Sequence, residues 1–178
     1  MKTILIWALL ILVPLCAMCQ DAKVASSEPV PTVGVYDSRS VAVAFAGSPV
    51  FREWMKPLMT DHEAARESGD KALLAELEKE GQARQDQLHL QGFGTDPVDN
   101  ILAMIEEKVT AMMVEKGLVR LVSVWDTDSL ADIPDDLRVD VTEQLVDLLE
   151  PVPLQRERAL EIRKHEPVSR KRLEKMRD

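Results

Sequence analysis

The chain has 178 residues, 22 Lys and Arg against 31 Asp and Glu, and a formal net charge of −9. Binding phosphates needs a concentrated positive surface, so this balance argues against nucleic acid as a partner. Aromatic residues make up only 4% of the chain, which favours helices packed along their length over a thick globular centre.

The amino terminus reads as a signal peptide over residues 1–19. Lys2 supplies a positive start, residues 4–15 are apolar, and Ala17-Met18-Cys19 offers small residues for cleavage before Gln20. The apolar run is shorter than the roughly 20 residues a membrane-spanning helix needs, and no later segment approaches that length, so the mature chain is expected to carry no transmembrane segment. The expected compartment is the periplasm. Lipidation fits less well, because Leu15 precedes Cys16 and Met18 precedes Cys19 where a small residue is wanted. Cleavage after Cys19 removes both cysteines and with them any disulfide or thiolate chemistry. Residues 20–31 are small, polar and Pro-containing, and read as a flexible linker.

A domain is expected over residues 32–150. Residues 32–36 form the first strand, with Val33 and Val35 on one face. Asp37 or Ser38 caps a helix that stops at Gly47, and Ser48-Pro49 restarts it with a capping hydroxyl and a proline in the first turn. Phe51, Trp54, Met55, Leu58 and His62 then recur at helical spacing out to about Ala65, across Pro57 without loss of phase. Ser68-Gly69-Asp70 is a turn, and Asp70 caps a second helix over residues 71–89 with Leu73, Leu77 and Leu88 as a narrow stripe. So polar a helix predicts the returning arm of a coiled-coil-like hairpin, about 49–91, zipped by a thin seam.

Gln91-Gly92-Phe93-Gly94-Thr95 breaks that arm, and Asp96-Pro97 opens the core helix, which carries Val98, Ile101, Leu102, Ile105, Val109, Met112 and Met113 and ends near Gly117. Residues 119–125 predict a second strand, apolar on both faces and therefore covered or central. An acidic loop over 126–136 has room for a third short strand near 129–133. Asp140-Val141-Thr142-Glu143 has a capping-box pattern, with Asp140 as the cap of a helix through Leu149. Residues 151–178 form a basic helical tail, with a helix over 154–165 and a frayed polar end beyond Pro167. Residues 155–178 hold nine Lys/Arg against five acids, while residues 126–150 hold nine acids and only Arg138, a complementarity suited to pairing across subunits.

Catalytic and cofactor signatures are sparse. His62, His89 and His165 stand apart, with no HExxH motif or cysteine partner, so no metal or cofactor is expected. Gly92-Phe93-Gly94 fits neither a P-loop nor a dinucleotide fingerprint and reads as a turn. Asp37 and Asp126, one after each main strand, would be a hydrolase's carboxylate pair at one sheet edge, but capping explains both. Ser38, Ser40 and Ser123 lack a nucleophile elbow. The expectation is a non-enzyme.

The order of parts resembles the OmpH/Skp family of periplasmic chaperones. The resemblance rests on the signal peptide, the strand running into Asp37-Ser38-Arg39-Ser40-Val41, the helical hairpin, the strand Leu121-Val122-Ser123-Val124, and Asp140-Val141-Thr142 before an amphipathic helix. It covers most of residues 33–149. It implies a homotrimer whose strands form a central body, with hairpins projecting around a cavity for unfolded outer-membrane or envelope proteins. Val33, Val35, Val122 and Val124 would then be body and subunit contacts, and Trp54, Leu58, Leu73 and Leu77 would contact clients. The expected fold class is α+β, mainly helical, with a small sheet and a protruding helical hairpin. The expected function is ATP-independent holding of unfolded envelope proteins. The alternative is a non-catalytic envelope scaffold or interaction protein with the same fold.

Overall fold

The computed structural model describes residues 31–175. The expected signal peptide, its two cysteines, and the linker up to residue 30 lie outside the described residues. The described chain is a mainly helical α+β fold with a small sheet and a helical hairpin. Three parallel strands form the sheet: β1 (Thr32–Tyr36) lies between β2 (Leu118–Ser123) and β3 (Arg138–Asp140). Parallel neighbours need crossover connections, and here most of the chain's helix lies between β1 and β2.

Helix α1 (Ser38–Ala46) leaves β1 through Asp37, whose side chain accepts from the Arg39 N–H and so caps the helix. It is the central pillar. Val41, Ala44 and Phe45 are fully buried, and Phe45 packs edge-on against Phe51 with ring centroids 5.5 Å apart. Helix α2 (Pro49–Ser68) starts as its Ser48-Pro49 chemistry dictates, with Ser48 Oγ accepting from Phe51 N–H, and runs unbroken through Pro57. Gly69 closes it in the left-handed region (φ 70°), and Asp70 then caps α3 (Lys71–Phe93) by accepting from the amides of Ala72 and Leu73. The return arm therefore runs four residues past the expected end. Gly94 ends it by turning to extended backbone angles, and only glycine fits there, because a Cβ would lie 2.5 Å from the Leu90 carbonyl oxygen.

The single core helix expected from residue 96 is two pieces, α4 (Asp99–Ala103) and α5 (Glu106–Glu115), interrupted at Met104 and Ile105. Val98, Ile101, Ile105, Val109 and Met112 all still point into the main core, so the apolar pattern survives the break. Strand β2 is neither central nor covered on both sides. It is an edge strand, with Val119 59% and Val124 36% exposed. The third strand is not at 129–133, where helix α6 (Thr127–Ala131) stands instead. Ile133 belongs to a lid, with Leu130 and Leu137, over Val33 and Val122 on the face of the sheet away from the main helical core. Arg138 ties this lid down, its guanidinium donating to the carbonyls of Leu130 and Ile133.

Helix α7 (Thr142–Leu148) follows β3, with Asp140 Oδ1 accepting from Thr142 N–H at 2.9 Å. Helix α8 (Pro153–Glu161) passes into a 3-10 turn (Ile162–Lys164), and α9 (Arg170–Lys175) packs back on α3. Residues 168–175 are thus not frayed: Val168 N–H donates to the Phe93 carbonyl at 2.8 Å, Leu173 is buried, and Arg170 meets Asp96 at 2.5 Å. The basic tail and the acidic stretch pair within one chain. Arg156 bonds both Glu143 and Asp147 at 2.6 Å, and Arg163 bonds Asp140.

Candidate functional site

The residues after β1 and the turn after β2 meet at the carboxyl edge of the sheet, the place where open parallel sheets commonly present ligand sites. Asp37 is 4% and Arg39 1% exposed. Arg39 grips the carboxylate with Nε on Oδ1 (3.1 Å) and Nη2 on Oδ2 (2.8 Å), Trp125 Nε1 donates to Oδ1 (3.0 Å), and the Arg39 amide adds a fourth bond to Oδ1. The guanidinium also stacks over the Trp125 ring, 4.5 Å from its centroid. Three of the four donors share Oδ1 and one takes Oδ2, so the buried carboxylate is committed to Arg39 and Trp125. Burial pushes the Asp37 carboxyl up, but the hydrogen bonds from Arg39 and Trp125 and the guanidinium charge outweigh it and hold the group below the usual carboxylate range.

Asp126 does not join Asp37 in a catalytic pair. Its side chain caps α6 by accepting from Ser129 N–H at 3.0 Å, and hydrogen bonding from the Ser129 side chain, then from this amide, lowers its pKa. Ser38 and Ser40 are buried at 1% and 0% exposure, out of reach of a substrate. Beside β2, between the turn that follows it and the segment 95–99, lies a polar hollow of about 370 Å³ that includes Tyr36, Asp99, Arg120, Ser123 and Asp126. Burial, with Asp99 and Asp126 nearby, pushes the Tyr36 hydroxyl up to about 12, so it stays protonated at neutral pH. Among the described residues, no group of three or more His, Asp or Glu is placed to hold a metal ion. His62 lies 4.0 Å from Glu78 on the hairpin, and His89 stacks on Phe93.

The expected client-contact residues divide. Leu58 (7%) and Leu77 (9%) are buried against Ala65, Met55 and Leu74 in the hairpin's own seam. Leu74, not Leu73, completes that seam, and Leu73 is 40% exposed. Trp54 sits at the hairpin's foot, half-buried beside Phe45 and Phe51, with the Arg84 guanidinium 4.6 Å from its ring centroid and donating to its carbonyl at 2.9 Å. Met59, which the stripe did not single out, is the most exposed large apolar side chain of the hairpin at 66%.

The expected subunit-contact residues divide as well. Val33 and Val122 lie beneath the lid of Leu130, Ile133 and Leu137, Val35 is half-buried, and Val124 is exposed. Among the described residues, no strand covers the outer edge of β2. The same residues include no helix long and apolar enough to cross a membrane.

A third feature escaped the sequence reading. Helices α1, α3 and α8 do not close on one another, and leave a partly open, mainly apolar groove of about 500 Å³. His165 forms part of its wall, and its carbonyl accepts from Arg39 Nη1 at 2.7 Å, so the buried cluster at the sheet edge also fixes the groove. Comparison of the chain with known protein families, curated proteins and solved structures finds no match.

Proposed function

We propose that this chain is an exported, non-catalytic interaction protein of the cell envelope, with the α2–α3 hairpin as its partner-contacting arm. The observation that carries this reading is the use of the arm's apolar residues. Leu58, Ala65 and Leu77 are consumed in a seam made of hairpin residues alone, so the arm is a preformed rod with Met59 and Leu73 standing among charges. A preformed helical face with a few apolar anchors suits one defined partner, because little ordering entropy is lost on binding. The burial of Asp37 against Arg39 and the capping role of Asp126 speak against the hydrolase reading.

The resemblance to periplasmic chaperones supports a second reading, ATP-independent holding of unfolded envelope proteins, and the exposure of Met59 and Leu73 favours it to that extent. A holdase needs apolar surface left open for weak, multivalent contacts. Aggregation assays separate the two. An interaction protein leaves an unfolded outer-membrane protein to aggregate at equimolar ratio, and a holdase keeps it soluble without nucleotide. In this reading assembly with further copies uses the open edge of β2, beside Val119 and Val124, because the Val33 and Val122 side chains are already covered. Light scattering of the chain from Gln20 onward gives the stoichiometry, for which the chaperone resemblance implies a trimer.

A further inference from the structure

We propose that the groove between α1, α3 and α8 is a binding site for a small amphiphilic anion, an alkyl chain ending in a carboxylate. The groove uses only the end of α3 that packs on α1, away from the hairpin's distal seam of Leu58, Ala65 and Leu77. Small residues make the hollow: Ala42 and Ala46 on α1 face Gly92 on α3, with Leu88 and Ile162 completing an apolar floor. A Cβ at Gly92 would meet Val43 at 3.6 Å and Ala42 at 4.0 Å, so the glycine lies directly against α1. Neighbouring contacts fix the walls. Gln155 Nε2 donates to the Val43 carbonyl at 2.7 Å, and Arg39 anchors His165 from beneath. A mainly apolar cavity of this size with a few polar groups at its rim is the usual form of a small-molecule site.

The rim sets the charge of the ligand. Arg158 lines the groove and its side chain has no hydrogen bond or ion pair among the described residues, whereas the Glu161 carboxylate, also in the lining, is held by Lys164 at 2.6 Å. His89 and His165 are the other ionisable groups there, so every charge at the rim not already engaged within the chain is a potential cation. A guanidinium matches a carboxylate's geometry and forms charge-assisted bonds with it. A chain lying on Leu88, Gly92 and Ile162 would bring its head to Arg158.

The test is calorimetric titration of the full chain with octanoate, 1-octanol and octylammonium, which share one tail and differ in charge. Octanoate is expected to bind roughly tenfold more tightly than the alcohol, the value of one hydrogen bond to a charged group. The Arg158→Gln variant should remove that preference, and Ala46→Phe, which fills the hollow from its open side, should abolish binding of both. Lengthening the acid should tighten binding by roughly threefold to fourfold per methylene. Equal affinity for the three ligands, no saturable binding, or octanoate binding untouched by Ala46→Phe would each overturn the proposal. Should Ala46→Phe fail to fold, amide shifts of the unaltered protein decide: octanoate must move Val43, Gly92 and Ile162, and shifts confined to residues 55–80 would place the ligand elsewhere.

Discussion

Arg39 Nη1 donates to the carbonyl oxygen of His165 across 126 residues of sequence, at 2.7 Å, while the rest of the same guanidinium is clamped on Asp37. One buried side chain therefore joins the end of the central strand to the carboxyl-terminal segment. Arg suits this post because its planar fork satisfies a carboxylate and a carbonyl at once and stays charged when buried.

The first prediction concerns that joint. Replacing Arg39→Met leaves the Asp37 carboxylate buried without its partner and releases the turn at His165. Breaking a buried pair on one side costs about 3–5 kcal/mol, whereas replacing both sides costs much less. Urea unfolding of Arg39→Met, Asp37→Asn and the double variant should show the double less destabilised than the sum of the singles. Additive effects would mean that the two residues act independently.

The same joint predicts an acid-sensitive fold. The folded-state pKa of Asp37 lies below the unfolded value of about 3.9, so the pair contributes its full stability above that value and loses it as pH falls through the folded pKa. Asp140 adds to the effect in the same sense: burial raises its pKa, and Thr142 and Arg163 more than reverse this. Stability of the unaltered chain should therefore fall more steeply below about pH 4 than that of the Asp37→Asn/Arg39→Met double variant. Parallel pH curves would remove the pair from the account.

Much of the fold was legible because its signals are local. Asp37, Ser48-Pro49, Asp70 and Gly69 announce helix ends through bonds made within a few residues, and the structure places helix boundaries beside each of them. Strand position was not legible. The apolar run at 119–125 reads as covered or central, yet a sheet of three strands needs only one centre, and β1 takes it. Ile133 looked like part of a strand because burial under a lid and burial in a sheet leave the same mark on sequence. Leu73 and Leu74 are adjacent, so a stripe drawn through either fits the spacing, and only the facing helix selects Leu74. The groove left no mark at all. Ala42, Ala46 and Gly92 are small residues on two helices far apart in sequence, and a hollow between them exists only once α8 has docked.

The hairpin gives a prediction that separates seam from surface. Leu58→Ala and Leu77→Ala each open a gap in the distal cluster and should cost about 2–3 kcal/mol, toward the low end for buried leucines because the seam is thin. Leu73→Ala should fall within about 0.5 kcal/mol of the unaltered protein. Hydrogen exchange locates the damage: the seam variants should speed exchange around residues 55–80 and leave α1 and the sheet protected. Faster exchange throughout the chain would mean that the arm and body unfold as one unit.

Gly34 and Gly69 predict two different kinds of glycine dependence. At Gly34, in the middle of the central strand, a Cβ would lie 2.6 Å from Leu121 Cδ2, 3.0 Å from Leu118 Cδ1 and 3.1 Å from Val141 Cγ2. All three side chains belong to the same packed layer as the α1 core, so relief for one presses on another. Gly34→Ala should cost about 1–3 kcal/mol by overpacking. At Gly69 there is open space but a φ of 70°, so Gly69→Ala should cost about 1 kcal/mol through backbone strain alone. Shortening the obstructing side chain distinguishes the causes. Adding Leu121→Ala to Gly34→Ala should recover part of the overpacking loss, since the two changes meet at one contact, whereas the same change combined with Gly69→Ala should be additive. If Leu121→Ala recovers nothing at Gly34, the contacts with Leu118 and Val141, and not the approach of Leu121, are what select the strand's glycine.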